Sequence, residues 1–365
     1  ILHIVKKYPN SLGGDAVVVY NLHKQQEAAG HSVIIVTSNC DEILDADNIY
    51  KFGFKDITQN IDKITVKRLA SLVVLFFKIF AILGKERPNV IHTHSVDMAF
   101  FVALAARLYR IPIVHTFHIV TFYDDSQSLF RRMSELWLAK TAKVSKVTAP
   151  NAFDVKKLQD AGLKQTVLLP NGVDLATWET NGMREPAKRT TFVAVGRLET
   201  QKGYEYLIKA VALLPGAENV HVIIAGQGSQ KQKLQNLARK LNVQNSITFA
   251  GRKTSEELRG LLAKSQAAVF PSLYETTPLT LLEAWASRTP VISTPVGILH
   301  DVPDHFNAAL VVPLKNEYSL AEAMLQCIEN PFLCKLTADA GYEEVKQFAW
   351  PYIGQQAEAI YLGTQ

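Results

Sequence analysis

Apolar runs and amphipathic stretches alternate along the whole chain. In the first half, strands are predicted at ILHIV, SVIIVT, VIHTH, IPIVHTF, KVTAP and TVLLP, with helices between them. In the second half, strands are predicted at TFVAVG, VHVIIAG, SITFAG, AAVFPS and PVIST, again with helices between them. Apolar runs that lack polar alternation and are separated by helices are typical of parallel strands covered on both faces. The pattern therefore predicts an α/β protein with two doubly wound parallel sheets, and an irregular stretch at residues 41–62.

Turn residues divide the two halves between Pro170 and Thr190, where two Asn-Gly pairs and a further proline cluster. We expect a first domain at residues 1–168 and a second at residues 169–348. The amphipathic segment at residues 349–365 is predicted to form a helix that returns to the first domain. Open parallel sheets bind ligands at the carboxyl ends of their strands. Two facing sheets would then place the chemistry in a cleft between the domains.

The size and composition are those of a globular protein with two domain cores. The chain has 365 residues, of which 48% are hydrophobic and 20% are charged. Its three cysteines (Cys40, Cys327 and Cys334) are odd in number and lack the spacing of a metal site. They indicate a reducing compartment without a disulfide framework, which predicts a cytoplasmic protein.

The net charge of +5 is unevenly distributed. Residues 1–168 hold 21 Lys and Arg against 15 Asp and Glu, whereas the remainder holds 18 against 19. The basic excess of the first half is compatible with an anionic membrane face or a phosphorylated acceptor, or with no specific partner. A nucleic-acid partner is not expected, because no basic run with interleaved aromatic residues is present.

A very apolar segment, LASLVVLFFKIFAIL at residues 69–83, lies within a stretch rich in Lys and Arg at residues 63–87. The apolar run is too short and too interrupted to span a bilayer. Two interpretations remain open. The helix either lies on an anionic membrane surface, at the inner face of the cell membrane, or is a covered helix of a doubly wound sheet. The first interpretation would favour a lipid-linked acceptor.

Two glutamates eight residues apart, Glu275 and Glu283, follow the predicted strand AAVF. Pro278 is a good first-turn residue for the helix LTLLEAWAS, so Glu275 is expected in the strand-to-helix loop and Glu283 about one turn inside the helix. The start of a helix attracts phosphate. Carboxylates beside a phosphate site suit a nucleotide-sugar, with phosphates at one end and hydroxyls at the other. The alternative is that Glu283 merely complements the helix dipole.

Other motifs occur in a fixed order along the chain. They are Pro9 with Gly13-Gly14, His118 after IVHTF, PNGVD at 170–174, VGRLETQKG at 195–203, AGQG at 225–228 and FAGR at 249–252. Together with the two-glutamate segment, these motifs resemble those of the retaining glycosyltransferases of family 4, over nearly the whole chain. The resemblance implies the GT-B fold, in which two Rossmann-like domains face a cleft.

The resemblance implies catalytic roles for His118, Arg197, Lys202 and Glu275. Arg197 and Lys202 would neutralise the charge that grows on a departing nucleoside diphosphate. Glu275 would contact hydroxyls of the donor sugar. His118 would position that sugar and would not act as a general base.

The resemblance also implies that several residues bind the donor. Glu283 would hold the ribose hydroxyls, and the backbone at Thr277, Pro278 and Leu279 would hold phosphate and sugar. Pro278 lacks an N–H, so contacts there are expected to differ from the family pattern. The remaining donor-binding positions are Gly13, Gly14, Asn171, Gly196 and Gly226. Glycines at such turns allow a ligand to approach the backbone N–H groups closely.

Three other motifs do not predict a different chemistry. Gly226-Gln-Gly228 lacks the third glycine of a dinucleotide fingerprint, which disfavours a dehydrogenase. Asp45-Ala-Asp47 lies in a polar stretch and is interpreted as loop. His92-Thr-His94 has no evident third ligand. We therefore expect no metal and no cofactor.

The predicted function is transfer of a hexose-type unit, with retention, from a nucleoside-diphosphate sugar to a hydroxyl of a glycan or lipid-linked acceptor, as in polysaccharide or glycolipid biosynthesis. Retention through two displacements would need a carboxylate nucleophile. Asp124-Asp125, near His118, is not a clear candidate, and reaction on a single face remains open. Two other functions also remain open: a nucleotide-sugar epimerase of similar build, and a non-catalytic subunit that binds nucleotide-sugars.

Overall fold

The structure is a computed structural model. It describes residues 1–8, 14–40, 48–51, 66–120, 129–142, 144–180, 189–300 and 307–364. The chain forms two compact units. The first unit consists of Ile1–Gly172 together with Trp350–Gln365, and the second consists of Val173–Ala349.

The first unit is built on a seven-stranded parallel sheet. Its strands are β1 (Leu2–Tyr8), β2 (Ile34–Cys40), β3 (Ile49–Lys51), β4 (Ile91–Thr93), β5 (Ile113–Thr116), β6 (Lys146–Ala149) and β7 (Thr166–Leu168), in the order β3-β2-β1-β4-β5-β6-β7. Its helices are α1 (Gly14–Ala28), α2 (Val66–Glu86), α3 (Val96–Tyr109), α4 (Leu129–Ala142), α5 (Ala152–Asp160) and α13 (Trp350–Leu362). Strand β3 lies inside the stretch predicted to be irregular, so that prediction was wrong there. It is a three-residue edge strand that pairs only with β2, too short to show a pattern.

The second unit is built on a six-stranded parallel sheet. Its strands are β8 (Thr190–Val195), β9 (Val220–Ala225), β10 (Ile247–Gly251), β11 (Ala267–Phe270), β12 (Val291–Ser293) and β13 (Leu310–Val311), in the order β10-β9-β8-β11-β12-β13. Its helices are α6 (Leu175–Trp178), α7 (Tyr204–Leu213), α8 (Lys231–Lys240), α9 (Ser255–Lys264), α10 (Leu279–Ala286), α11 (Glu317–Glu329) and α12 (Pro331–Val345). The predicted α/β class with two doubly wound parallel sheets is confirmed.

The two faces of the first sheet differ in polarity. Leu2 and Ile4 of β1 lie in a large apolar core that also contains buried side chains of α2 and α3. Side chains alternate between the faces of a strand, so His3 lies on the opposite face from its two neighbours. The pairing of β1 with β4 sets His3 beside His92. Both imidazoles are completely buried, and this is the more polar of the two faces, although it also holds an apolar cluster that includes Val5 and Ile35.

The second sheet is apolar on both faces. Phe192 and Ala194 of β8 belong to one buried cluster, and Val193 between them belongs to another. Strand β11 is buried along its whole length. The buried side chains of β8 and β11 are all apolar, so polar chemistry is expected at the loops that follow the strands.

Candidate functional site

Two glycines bring backbone segments together at the carboxyl ends of β8 and β9. A Cβ atom at Gly226 would lie 1.8 Å from the carbonyl oxygen of Gly196. A Cβ atom at Gly196 would lie 2.9 Å from the Oη of Tyr204. Both φ angles are positive, +157° at Gly226 and +152° at Gly196, which L-residues rarely adopt. The two predicted donor-binding glycines therefore form one narrow contact at the strand ends, where only hydrogen fits as a side chain.

The loop after β8 is held against the end of β11. Gly203 ends a 3₁₀ turn at Thr200–Lys202 with φ +62°, and a Cβ there would lie 2.0 Å from the carbonyl oxygen of Pro271. Gln201 strengthens this junction, because its carbonyl accepts from the N–H of Leu273 at 2.8 Å and its side chain donates to the carbonyl of Tyr274, also at 2.8 Å. Lys202 is thereby brought next to the loop that carries Glu275.

Lys202 and Glu275 form an ion pair. The Nζ of Lys202 donates to the Oε1 of Glu275, and the Oγ of Ser272 donates to the same oxygen at 2.9 Å. The side chains of Lys202 and Glu275 are only 16% and 11% exposed. The positive charge of Lys202 is thus already balanced, and a diphosphate at this lysine would compete with Glu275.

Arg197 differs from Lys202, although the two were predicted to act together. Its side chain is exposed, and within the described ranges it forms no hydrogen bond or ion pair. The neighbouring Glu199 instead accepts from the backbone N–H and the hydroxyl of Ser229, at 3.0 and 2.7 Å. These hydrogen bonds, with a smaller effect of the Arg197 charge, lower the pKa of Glu199. Arg197 is therefore a cation that is not committed to a carboxylate hydrogen bond.

Glu283 lies on α10, partly buried. Among the residues that the structure describes, none forms a hydrogen bond or ion pair with its carboxyl group. Burial raises the pKa of Glu283 to about 8. Near neutral pH this carboxyl group therefore retains its proton, so that it can donate one hydrogen bond and accept others, which is the capacity needed to bind vicinal hydroxyls.

The start of α10 differs from the prediction in one detail. Pro278 is the N-cap rather than a first-turn residue, and its side chain makes no capping hydrogen bond. The N–H groups of Leu279 and Thr280 have no acceptor in the described part of the chain. The preceding Thr277 is buried. The first turn of α10 therefore has donors available to a ligand.

Two contributors to this strand-end region were not predicted. Gly297, after β12, has φ +61°, and a Cβ there would lie 2.0 Å from the carbonyl oxygen of Thr276, so this glycine supports the loop from Glu275 to Thr277. Tyr204 is buried, and its Oη has no hydrogen-bond partner among the described residues. Burial, assisted by the charge of Glu275, raises the pKa of Tyr204. The sequence did contain a signal for Gly297, because this glycine follows the predicted strand PVIST and so lies at the same edge of the sheet as the other strand-end loops.

Of the four predicted residues of the first unit, the structure describes Gly14, His118 and Asn171. Gly14 is the first residue of α1, Asn171 is buried at the end of the unit, and Gly13 lies outside the described residues. His118 follows β5, and its Nε2 lies 2.9 Å from the Nδ1 of His94. Burial lowers the pKa of His118, opposed by the carboxylate of Asp15.

One histidine cluster has the spacing of a metal site. In the described part of the chain, His3, His92 and His94 can each offer a ligand atom within 4.8 Å of the others. His3 is thus a third residue that the sequence did not reveal beside His92 and His94. Every ring nitrogen of the three already has a hydrogen-bond partner, among them Gln26 and Tyr361. Binding a metal would break these bonds, so the cluster fits a hydrogen-bonded network better than a metal centre.

The Asp-x-Asp motif at Asp45 and Asp47 and the pair Asp124-Asp125 lie outside the described residues. Their interpretation as loops stays a prediction.

From residue 74 to its end, helix α2 is covered on one side and exposed on the other. Leu75, Ile79 and Leu83 are buried in the core of the first unit, whereas Val74 and Phe77 are 45% and 63% exposed. The two helices that follow, α3 and α4, pack beside it in turn and also expose apolar pairs. We call this set the three-helix apolar face; its members are Val74, Phe77, Leu104, Leu108, Met133 and Trp137. None of the described helices is both long and apolar enough to cross a membrane.

Comparison with known proteins matches both units. The Glycosyltransferase Family 4 model matches residues 12–177, and the Glycosyl transferases group 1 model matches residues 180–345. The D-inositol 3-phosphate glycosyltransferase of Corynebacterium aurimucosum is 30% identical over 299 residues, which span 75% of this chain and 71% of that protein. The alpha-monoglucosyldiacylglycerol synthase of Streptococcus pneumoniae is 25% identical over 388 residues, which span 97% of this chain and 83% of that protein.

A solved structure shares the fold. Anabaena Alr3699/HepE in complex with UDP-glucose aligns with a TM-score of 0.79 and 18% identity over 98% of each chain. Two parallel Rossmann-like sheets in one chain define the GT-B class of fold. The chain belongs to glycosyltransferase family 4, with a group 1 domain in its second half. The family predicted from the motifs is confirmed.

Proposed function

We propose that this glycosyltransferase moves a hexose-type unit, with retention, from a nucleoside-diphosphate sugar to a hydroxyl of a glycan or lipid-linked acceptor. The proposal depends above all on one observation: Lys202 and Glu275 pair at the end of β11, just before the first turn of α10. A cation, a carboxylate and unpaired N–H groups match a diphosphate joined to a sugar. UDP-glucose in the related HepE structure supports the same class of donor.

The resting ion pair suggests how donor binding prepares the reaction. A diphosphate attracts Lys202 away from Glu275, and the released carboxylate can accept hydrogen bonds from sugar hydroxyls. When the anomeric C–O bond breaks, its electron pair goes to the diphosphate oxygen. Lys202 and the uncommitted Arg197 then stabilise that charge.

Transfer is completed on the same face of the sugar. The acceptor hydroxyl oxygen forms the new bond to the anomeric carbon, and its proton goes to the departing phosphate. This route needs no carboxylate nucleophile and no metal. Glu283, protonated near neutral pH, would bind the ribose hydroxyls.

A lipid-linked acceptor is favoured by the three-helix apolar face. Phe77, Leu108, Met133 and Trp137 are each more than half exposed, on three neighbouring helices of the unit that carries the basic excess. Apolar side chains beside basic ones suit an anionic lipid surface. The relative named as an alpha-monoglucosyldiacylglycerol synthase supports this class of acceptor.

The transfer reaction is tested with Lys202→Ala and a matched control. Thermal shift with UDP-, GDP- and ADP-sugars first identifies the donor, and transfer is then measured with the anomeric configuration of the product read by NMR. Removing a preorganised charge-stabilising donor is expected to lower kcat about a hundredfold or more. Lys253 also pairs with a glutamate in the same unit, but at the more exposed start of α9, so Lys253→Ala should transfer normally.

Near-normal turnover by Lys202→Ala would contradict the proposed site, and an inverted product would contradict retention. A donor that is converted to its epimer without acceptor would indicate an epimerase instead.

Membrane attachment is tested by flotation with anionic vesicles. Phe77→Glu and Trp137→Glu are expected to abolish flotation of the protein, because each places a charge on the three-helix apolar face. Phe76 is unsuitable for this test since it packs partly against the core. Val17→Glu is the control: Val17 is 39% exposed but lies on α1. Wild-type protein that stays with the unbound fraction would refute membrane attachment without affecting the proposed reaction.

A further inference from the structure

One buried hydroxyl group of the second unit forms no hydrogen bond with any residue that the structure describes. It belongs to Tyr204, which is only 3% exposed. A buried polar group without a hydrogen bond is rare in folded proteins and destabilises them. Phenylalanine would have the same shape without this cost. A hydroxyl kept at such a position is explained if a bound ligand supplies its acceptor.

The ring of Tyr204 is fixed in the core, and its hydroxyl lies at the end of β8. Tyr204 is the first residue of α7, and it belongs to the buried apolar cluster that contains Ala194 and Leu207. A Cβ at Gly196 would lie 2.9 Å from the Oη of Tyr204, so the hydroxyl lies against the backbone that follows the strand. This is the edge of the sheet where open parallel sheets bind ligands.

Lys202 lies next to the same hydroxyl. The position of a Cβ at Gly196 is 2.9 Å from the Oη of Tyr204 and 3.1 Å from the Cε of Lys202. Burial, with a smaller effect of the Glu275 charge, raises the pKa of Tyr204, so the hydroxyl keeps its proton. A neutral phenol is therefore available beside the ion pair as a hydrogen-bond donor.

An anionic oxygen is the acceptor that fits this hydroxyl. A neutral hydroxyl and a lysine ammonium group both donate, and together they match the oxygens of one phosphate group. Glu275 is not the acceptor in the free protein. Its Oε1 already accepts from Lys202 and Ser272, and it forms no hydrogen bond with Tyr204. The acceptor is therefore expected to arrive with the substrate.

Access to the hydroxyl depends on Lys202. The Oη of Tyr204 is shielded from solvent in the free protein, and the lysine side chain is one of the groups beside it. In the proposed reaction a diphosphate attracts Lys202 away from Glu275. Movement of the lysine then opens space next to Gly196, which has no side chain to keep a phosphate oxygen away.

We propose that Tyr204 is a further donor-binding residue, whose hydroxyl donates a hydrogen bond to the diphosphate once Lys202 has left Glu275. This inference rests on the proposed function, which assigns a diphosphate to Lys202. The phosphate concerned is the one joined to the sugar, because Glu275 would contact the sugar hydroxyls. When the anomeric C–O bond breaks, its electron pair goes to an oxygen of this phosphate, and the hydrogen bond strengthens as the charge grows.

Tyr204→Phe tests the proposal, because it removes the hydroxyl and keeps the ring. Calorimetry with the full chain measures binding of UDP, GDP and ADP, each beside its monophosphate (UMP, GMP and AMP). The wild type is expected to prefer one diphosphate to its monophosphate. Losing a hydrogen bond to a charged group should weaken binding of that diphosphate about tenfold to a hundredfold, and lower kcat/KM with the corresponding nucleotide-sugar at least as much. Binding of the monophosphate should not change.

The stability of Tyr204→Phe separates a role in binding from a role in folding. Its Tm without nucleotide should equal or exceed that of the wild type, because an unpaired buried donor has been removed. Weaker binding by a protein that is at least as stable is the result expected when a residue is kept for function.

Tyr206→Phe is the matched control. Tyr206 lies two residues further along the same helix and is partly exposed. Burial and the charge of Glu205 raise the pKa of its hydroxyl, which is therefore also neutral. The same substitution at this position should leave binding of diphosphates and monophosphates unchanged.

Lys202→Ala, measured beside these variants, separates this inference from the proposed function. Unchanged diphosphate binding by Tyr204→Phe, with weaker binding by Lys202→Ala, would overturn the role of Tyr204 and leave the proposed function intact. A hydroxyl that only holds a water molecule would give this result. Equal weakening for monophosphate and diphosphate, or the same loss in Tyr206→Phe, would also overturn it. A wild type that does not prefer a diphosphate, and is unaffected by Lys202→Ala, would refute the proposed function itself.

Discussion

The two units place polar groups in opposite ways. In the first unit, completely buried histidines occupy one face of the sheet, and burial keeps them neutral. In the second unit the central strands are apolar on both faces, and charged side chains such as Lys202 and Glu275 lie on loops at the strand ends. Neutral rings can be buried when each donor meets an acceptor, whereas a charge needs a partner or solvent. One fold thus contains an interior network and an edge site.

The largest expected loss of stability follows a substitution at the edge site, the strand ends of the second sheet where Gly226, Lys202 and Glu275 lie. Gly226→Ala would bring a Cβ to 1.8 Å from a backbone oxygen at a positive φ. Overpacking and backbone strain together should destabilise the second unit by about 4 kcal/mol. Hydrogen exchange should show lost protection in peptides of the second unit while those of the first unit keep theirs.

Gly260→Ala is the control for that substitution. Gly260 lies in helix α9, and no atom lies within 4 Å of where its Cβ would be. The change should be neutral or stabilise the helix by roughly 0.5–1 kcal/mol. Equal loss of protection in the two variants would show that the close contact between Gly226 and Gly196 does not determine the stability of the second unit.

Mild acid is expected to destabilise the first unit. Burial lowers the pKa of His3, His92 and His94 in the folded state, so below pH 6.5 the unfolded chain binds more protons than the folded chain. The contribution of His3 to stability is therefore complete above about pH 6.5 and is lost as the pH falls toward its folded pKa of about 3, and the contributions of His92 and His94 are lost in the same direction. Three such rings should cost the first unit about 3 kcal/mol between pH 6 and pH 5.

Hydrogen exchange measured at both pH values, corrected for intrinsic rates, would separate the units. Loss of protection should be concentrated in peptides from β1, β4 and α13. Uniform loss in both units would mean that the buried rings are not the cause.

The strands and the residues of the edge site were predictable, but their partners were not. Continuous apolar runs such as AAVF are a local signal, and so are Pro271 and Glu275 in the loop that follows. In contrast, the pairing of Lys202 with Glu275 depends on how β8 and β11 are ordered in the sheet. The order of parallel strands leaves no trace in the period of side chains along one strand.

The histidine network shows the same limit more strongly. His92 and His94 are neighbours in sequence, but His3 reaches them only because β1 and β4 are adjacent. Tyr361 comes from a helix 269 residues after His92. The network joins side chains of β1, β4, α1 and α13, which no single sequence window contains.

A smaller change in stability is expected in the second unit, where Glu283 makes the stability depend on pH. The folded pKa of Glu283, about 8, lies above its ordinary value of 4.5, so between these values the folded chain holds a proton that the unfolded chain has lost. The stability of the second unit should therefore fall as the pH rises from 5 to 8, opposite to the first unit.

Glu283→Gln should remove this dependence and stabilise the second unit at pH 8 by on the order of 1 kcal/mol, because partial exposure screens much of the shift. Glu257→Gln is the control, since Lys253 and Thr254 lower the pKa of that exposed carboxylate. Denaturant titrations at pH 5 and pH 8 measure both variants, and a Glu283→Gln protein with the wild-type slope would contradict the assignment.

The smallest effect concerns the exposed ion pair of Lys253 with Glu257, which helps to distinguish charge at the edge site from charge on the surface. Lys253 lies just before the N-cap of α9 and Glu257 in the first turn of that helix, with side chains 28% and 48% exposed, whereas Lys202 and Glu275 are 16% and 11% exposed. A double-mutant cycle with alanine at both positions should give a coupling of about 0.3–0.5 kcal/mol for the exposed pair. The Lys202–Glu275 cycle should give a larger coupling, because solvent screens those charges less.

Salt at 1 M should largely remove the coupling of the exposed pair but not that of the edge-site pair. Equal couplings with equal salt dependence would mean that the carboxyl edge of the second sheet is no different electrostatically from the surface of its helices.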